Sequence, residues 1–257
     1  MRAISGLIKV KGTVDINGQI IGKDIMFPPS IGLLIENPSF INNYTAFENL
    51  KTLASIRRRI DDNRIRETLT EIGLDPDDKR TFHKFSLGMK QRLGIAAAIM
   101  ENPDIIILDE PINGLDPQGI AEVRDTIQRL QKERNMTICI SSHILEELSK
   151  IATDYGIIHN GSLLQELTRE ELMRRCSERM ELTLADPKLA IPVLDAMGFT
   201  NYQVTDKEHI HIFERLNESA ALNMELAKAG IPVKGLSITS EELETYFLNL
   251  TGGASHA

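Results

Sequence analysis

Ile105, Ile106, Ile107 and Leu108 are apolar without a break and run straight into Asp109 and Glu110. A strand with one wet face alternates apolar and polar side chains; one that does not alternate is covered on both faces. The run therefore belongs in the middle of a parallel sheet. Ligands of such sheets bind beyond the carboxyl ends of the strands, which is where the two carboxylates fall.

The surrounding signals fit that sheet. Up to about residue 166, strand and helix patterns alternate, the rhythm of an α/β domain. Ser30–Glu36 reads as a buried strand. Thr45 and Glu48 form a capping box for the next helix. Asp61 caps a second helix that stops at Gly73, and Ser86 caps a third that Pro103 ends. A charged helix over 117–134, a strand ending at Ser141 and a helix from near Ser142 come next. Two strands about an Asn160–Gly161 turn close the segment. The basic triplet Arg57–Arg59 runs into Asp61 and Asp62 and reads as a solvated helix face.

Beyond about residue 176 the order becomes βαββαβ, a ferredoxin-like pattern. The sequence thus predicts an α/β domain over 1–166, with a helical subdomain over about 40–102, and a small α+β unit over 177–257. In that unit a hairpin turns around Lys207, a helix covers 217–229, and Thr239 with Glu242 caps the last helix. His209 and His211 share one strand face, but with no third ligand nearby a packed or solvated face is the simpler reading than a metal site.

Composition removes several function classes. A net charge of −8 argues against binding nucleic acid through basic residues. Cys139 and Cys176 have neither metal nor disulfide spacing, which suits a reducing cytosol. No apolar run approaches the roughly 20 residues that a bilayer requires, so a membrane role implies a separate membrane-spanning partner.

Alone, Asp109 and Glu110 are as well read as a helix cap or a surface acidic pair. Three further segments change that: "KFSLGMKQRLG" before them, "NGLD" (Asn113–Asp116) directly after, and "SSH" (Ser141–His143) closing the next strand. In this order, residues 1 to about 166 closely resemble the nucleotide-binding subunit of ABC transporters, a P-loop NTPase-like fold. The resemblance implies a head-to-tail dimer with ATP and Mg²⁺ at the interface. It makes Asp109 the holder of the Mg²⁺ shell, Glu110 the general base for water, and His143 a contact to the γ-phosphate and that water. Asp116, with Leu115, matches the loop that communicates between the two sites. Ser86, Leu87 and Gly88 match the signature that closes over the partner's ATP.

Two departures stand out. Leu87 replaces the first of two signature glycines, and Met89 replaces a glutamine. Glu36 stands where most relatives carry a glutamine that touches Mg²⁺ and links to the membrane subunit; a carboxylate can still ligate the metal, but it adds charge beside the phosphates. Both departures resemble the bacitracin and lantibiotic efflux or immunity transporters, as do "IENPSF" and "DEPINGLDP".

The family also needs a phosphate loop, G-x-x-x-x-G-K-[ST]. Gly18, Gly22 and Lys23 fail as that loop: only three residues separate the glycines, Asp24 replaces the hydroxyl residue, and Pro28 and Pro29 forbid a helix soon after. Two short strands about a turn are the simpler reading. The first residues instead resemble the segment directly after the phosphate loop, the tail of a helix ending near Gly6. The chain is therefore expected to begin just after the loop, with an incomplete sheet and a gap between the strand "MTICI" and the one near Tyr155. Made alone, it is expected neither to bind ATP tightly nor to hydrolyse it.

The leading expectation is the ATPase subunit of an antimicrobial-peptide or drug exporter that confers antibiotic resistance. It would be peripheral on the cytoplasmic face of the membrane and paired with a membrane-spanning subunit and a second nucleotide-binding subunit. Helices over 46–73 and the loop after Glu36 would meet the membrane subunit. The alternatives are a catalytically inactive interaction subunit and a soluble ATPase of the same class.

Overall fold

The computed structural model describes residues 1–8, 11–21, 31–36, 38–57, 60–240 and 242–252. Gly22, Lys23, Asp24, Pro28 and Pro29 lie outside them, as do Arg58 and Arg59. The chain forms two compact units, Met1–Ile151 and Ala152–Ala257.

In chain order the first unit holds β1 (Asp15–Ile16), β2 (Gln19–Ile20), β3 (Ile31–Leu34), α1 (Ala46–Arg57), α2 (Asp62–Glu71), α3 (Leu87–Ile99), β4 (Ile105–Asp109), α4 (Pro117–Arg134), β5 (Thr137–Ser141) and α5 (Leu145–Ser149). β4 is central and parallel to both neighbours, with Leu108 opposite Leu34 of β3 and Asp109 opposite Ser141 of β5. Its unbroken apolar run has the predicted cause. Ile106 and Leu108 enter the large core shared with α1–α4, while Ile107 joins Ile31 and Ile16 on the opposite face. Burying each such side chain stabilises the fold by about 1.5–3 kcal/mol. Among the described residues no strand pairs with the outer edge of β5.

Local hydrogen bonds set the helix starts. Thr45 N donates to Glu48 Oε2 at 2.8 Å and Glu48 N to Thr45 Oγ1 at 3.2 Å, the reciprocal capping box. Asp61, Ser86 and Asp116 accept from the backbone N–H groups of Arg64, Met89 and Gly119. α3 stops at Ile99, sooner than Pro103 requires, and Asn102 takes a left-handed φ of 55°. Before β1, Leu7 N bonds the Arg2 carbonyl, Gly6 N bonds that of Ala3, and Gly6 has φ 74°. That is the closing pattern of a helix C-terminus. β1 and β2 form a hairpin about Asn17 and Gly18.

The second unit holds β6 (Asp154–His159), β7 (Ser162–Thr168), α6 (Arg169–Cys176), β8 (Arg179–Leu184), α7 (Ile191–Ala196), β9 (Tyr202–Val204), β10 (His209–Ile212), α8 (Ser219–Lys228), β11 (Val233–Thr239) and α9 (Leu243–Leu250). Strands β8–β11 form an antiparallel sheet in the order β11-β8-β10-β9, the ferredoxin-like arrangement. Met180, Leu182, Ile210 and Ile212 pack against Leu194, Leu222 and Leu226 of α7 and α8.

Three expectations differ from the structure. The units part at Ile151, not after 166, because Leu167 of the β6–β7 hairpin packs with Leu172 of α6 and Tyr246 of α9. Thr239 does not cap α9: among the described residues it ends β11 with its hydroxyl unbonded, and Glu242, the residue before the helix, makes no side-chain cap. The helix expected from near Ser142 begins at Leu145.

Candidate functional site

The carboxyl ends of β4 and β5 bring four side chains together. Ser141 Oγ donates to Asp109 Oδ1 at 2.5 Å. The same hydroxyl accepts from Glu110 N at 3.0 Å, and the Ser141 carbonyl accepts from that N–H at 3.2 Å. One serine thus fixes Asp109 and Glu110 relative to β5, leaving Asp109 Oδ2 without a hydrogen bond among the described residues.

Glu110 has φ 50°, a left-handed conformation that costs a non-glycine residue about 1–3 kcal/mol and persists where the surroundings hold it. Its carbonyl accepts from Asn113 N at 3.2 Å. Its Oε2 lies 2.9 Å from Nδ1 of His143. A carboxylate only accepts, so Nδ1 carries the proton in this contact and Nε2 is left free of it. The Glu110 side chain is 35% exposed and that of His143 is 62% exposed, so the pair faces solvent at the sheet's end.

A second group forms around the start of α3. Leu87 Cδ2 would lie 3.5 Å from a Cβ on Gly114, whose φ is 73°, and a Cβ on Gly88 would lie 3.5 Å from Gly119 Cα. Asp116 caps α4 through Gly119 N at 3.1 Å. Ser86, Leu87 and Gly88 therefore pack as one block with the Gly114–Gly119 segment. The Ser86 hydroxyl accepts from Met89 N at 3.2 Å, which leaves its own proton free to donate outward. No hydrogen bond joins Ser86 to the carboxylates among the described residues.

Glu36, the other candidate metal ligand, has φ 63°, and its carboxylate pairs with the guanidinium of Arg2. Among the described residues no three His, Cys, Asp or Glu side chains converge as an all-protein metal cage. The free Oδ2 of Asp109 is a hard oxygen donor of the kind Mg²⁺ takes singly, with water and substrate phosphates completing its shell, so the donor chemistry fits that ion. Burial pushes the thiol of Cys139 on β5 up from its ordinary value, which disfavours the reactive thiolate.

Ser141 and Arg2 escaped the sequence reading as site residues. Ser141 carried a signal, a hydroxyl at the end of a strand next to the acidic one. Arg2 carried none.

With this geometry in place, comparisons with known proteins supply the family. The model of the ABC transporter family matches residues 1–113. The bacitracin transport ATP-binding protein BcrA of Bacillus licheniformis is 40% identical over 260 residues, covering 99% of this chain and 84% of the relative. The lantibiotic transport ATP-binding protein SrtF of Streptococcus pyogenes is 40% identical over 167 residues, covering 65% of this chain and 71% of the relative. The solved ATP-binding subunit of an ABC transporter superposes with a TM-score of 0.55 at 26% identity, covering 67% of this chain and 74% of that one. The chain belongs to the ABC transporter ATP-binding family. Subunits of this family bind and hydrolyse ATP, dimerise, and work with membrane-spanning subunits.

Proposed function

We propose that this chain is the ATP-hydrolysing subunit of an exporter that protects its cell against an antimicrobial peptide, and that Asp109, Glu110 and His143 form the hydrolytic group. The observation that carries it is the Ser141 hydroxyl, which holds Asp109 and Glu110 together while Glu110 in turn holds His143. Glu110 orients a water and takes its proton as the oxygen attacks the γ-phosphorus; the bond to the ADP oxygen breaks. His143 Nε2 faces that water and the γ-phosphate. Asp109 would hold Mg²⁺, which would neutralise phosphate charge when bound.

In this reading Ser86 and the Gly88 amide, at the start of α3, close over ATP bound by a second nucleotide-binding subunit. The block they form with Gly114–Gly119 gives Leu115 and Asp116 a physical route between the two sites. The protein is placed on the cytoplasmic face of the membrane, with the segment after Glu36 and α1–α2 against the membrane-spanning subunit. The similarity to BcrA and SrtF supports a peptide such as bacitracin or a lantibiotic as cargo.

The intact hydrolytic group argues against a purely structural subunit.

Deleting the gene and scoring sensitivity to bacitracin and to lantibiotics tests the reading. Increased sensitivity to one of them, restored by the wild-type gene, is expected. Unchanged sensitivity to both classes overturns the cargo assignment.

A further inference from the structure

We infer that Arg2 is the counter-charge that allows a glutamate to stand at the end of β3, so that Arg2 and Glu36 present a neutral pair to the phosphates; this rests on the function proposed above. Glu36 and Glu110 each stand two residues past paired leucines, Leu34 and Leu108, on neighbouring parallel strands. Adjacent strands are about 4.8 Å apart, so the backbones at Glu36, Asp109 and Glu110 lie at the same end of the sheet. An unpaired Glu36 carboxylate there adds negative charge beside any bound polyphosphate.

The pair is built rather than incidental. Glu36 is held at φ 63°, a costly conformation for a side chain other than glycine. The Arg2 carbonyl accepts from Leu7 N at 3.0 Å and from the Ser5 hydroxyl at 3.0 Å, and Ser5 is buried. Next to it, Met1 Sδ lies 3.8 Å from Cys139 Sγ on β5. The backbone carrying Arg2 is thereby anchored to the sheet before the guanidinium reaches Glu36. Both side chains are more than half exposed, 53% and 63%, so the pair adds little to folding stability. Its consequence is where charge sits. Arg2 is a positioning residue and does not itself touch the reacting atoms.

The test uses the protein purified from its own host with its membrane subunit, and reads the affinity of a fluorescent ATP analogue together with ATP turnover. Arg2→Gln weakens nucleotide binding about tenfold at low salt, and less at high salt as the freed charge is screened. Arg2→Lys keeps the charge and binds like wild type. The double variant Arg2→Gln/Glu36→Gln regains most of the loss, which a merely structural Arg2 would not produce. An Arg2→Gln variant that binds like wild type overturns the inference, as does a double variant as weak as the single one. A wild-type complex that binds no nucleotide overturns the functional reading, and this inference with it.

Discussion

Nδ1 of His143 lies 2.9 Å from Oε2 of Glu110, joining the residues just past β5 to those just past β4. Because the carboxylate accepts, Nδ1 carries the proton in this contact and the imidazole is held in one orientation. His143→Ala is expected to lower ATP turnover by the purified transporter complex about 10–100-fold while changing nucleotide affinity less than about threefold. A variant that loses affinity and keeps its maximal rate would show that His143 serves binding alone.

The left-handed backbone of Glu110 gives a prediction that separates folding from chemistry. Glu110→Gly and Glu110→Ala both lose the carboxylate, yet only glycine relieves the strain. Urea unfolding should find the glycine variant more stable than the alanine variant by about 0.5–1 kcal/mol, with neither restoring turnover. Equal stabilities would mean that the turn after β4 relaxes without cost.

Gly32 packs β3 directly on α3. A Cβ there would stand 2.1 Å from the carbonyl oxygen of Ala98 and 3.1 Å from Ile106 Cγ2. Backbone cannot swing aside as a side-chain tip can, so Gly32→Ala should cost about 3 kcal/mol or more in chemical denaturation. A loss under about 1 kcal/mol would contradict this packing.

Burial holds the imidazole of His211 below its ordinary value of 6.5; Arg179 adds to the lowering and Glu181 opposes it. The unfolded chain then takes up a proton on His211 at a pH where the folded chain does not. Protection of the β10 amides against hydrogen exchange should therefore fall as pH drops below about 6.5. In His211→Gln that fall should be shallower. An unchanged pH dependence would assign it to other groups on the same face, among them His209 and Asp206.

What the sequence made legible was what short-range hydrogen bonds and strand periodicity determine. The caps at Thr45, Asp61 and Ser86 each need only a side chain and an N–H three residues on. The Asn160–Gly161 hairpin needs two residues that tolerate positive φ, found here at 49° and 78°. Asp109, Glu110 and His143 were legible through their order and resemblance. What stayed hidden depends on register or on distant packing. The bond from Ser141 to Asp109 comes from the alignment of β5 with β4, and the boundary at Ile151 from the contact of Tyr246 with Leu167. The pairing of Arg2 with Glu36 needs the helix tail and the end of β3 to meet in space.

The most direct test of the central claim is ATP hydrolysis by the natively purified transporter complex, compared between wild type and Glu110→Gln. The amide keeps the size of the side chain and can still face His143, but it cannot take a proton from water. The account predicts a fall in turnover of about 100-fold or more with nucleotide binding retained. A Glu110→Gln complex that hydrolyses ATP at the wild-type rate would contradict it.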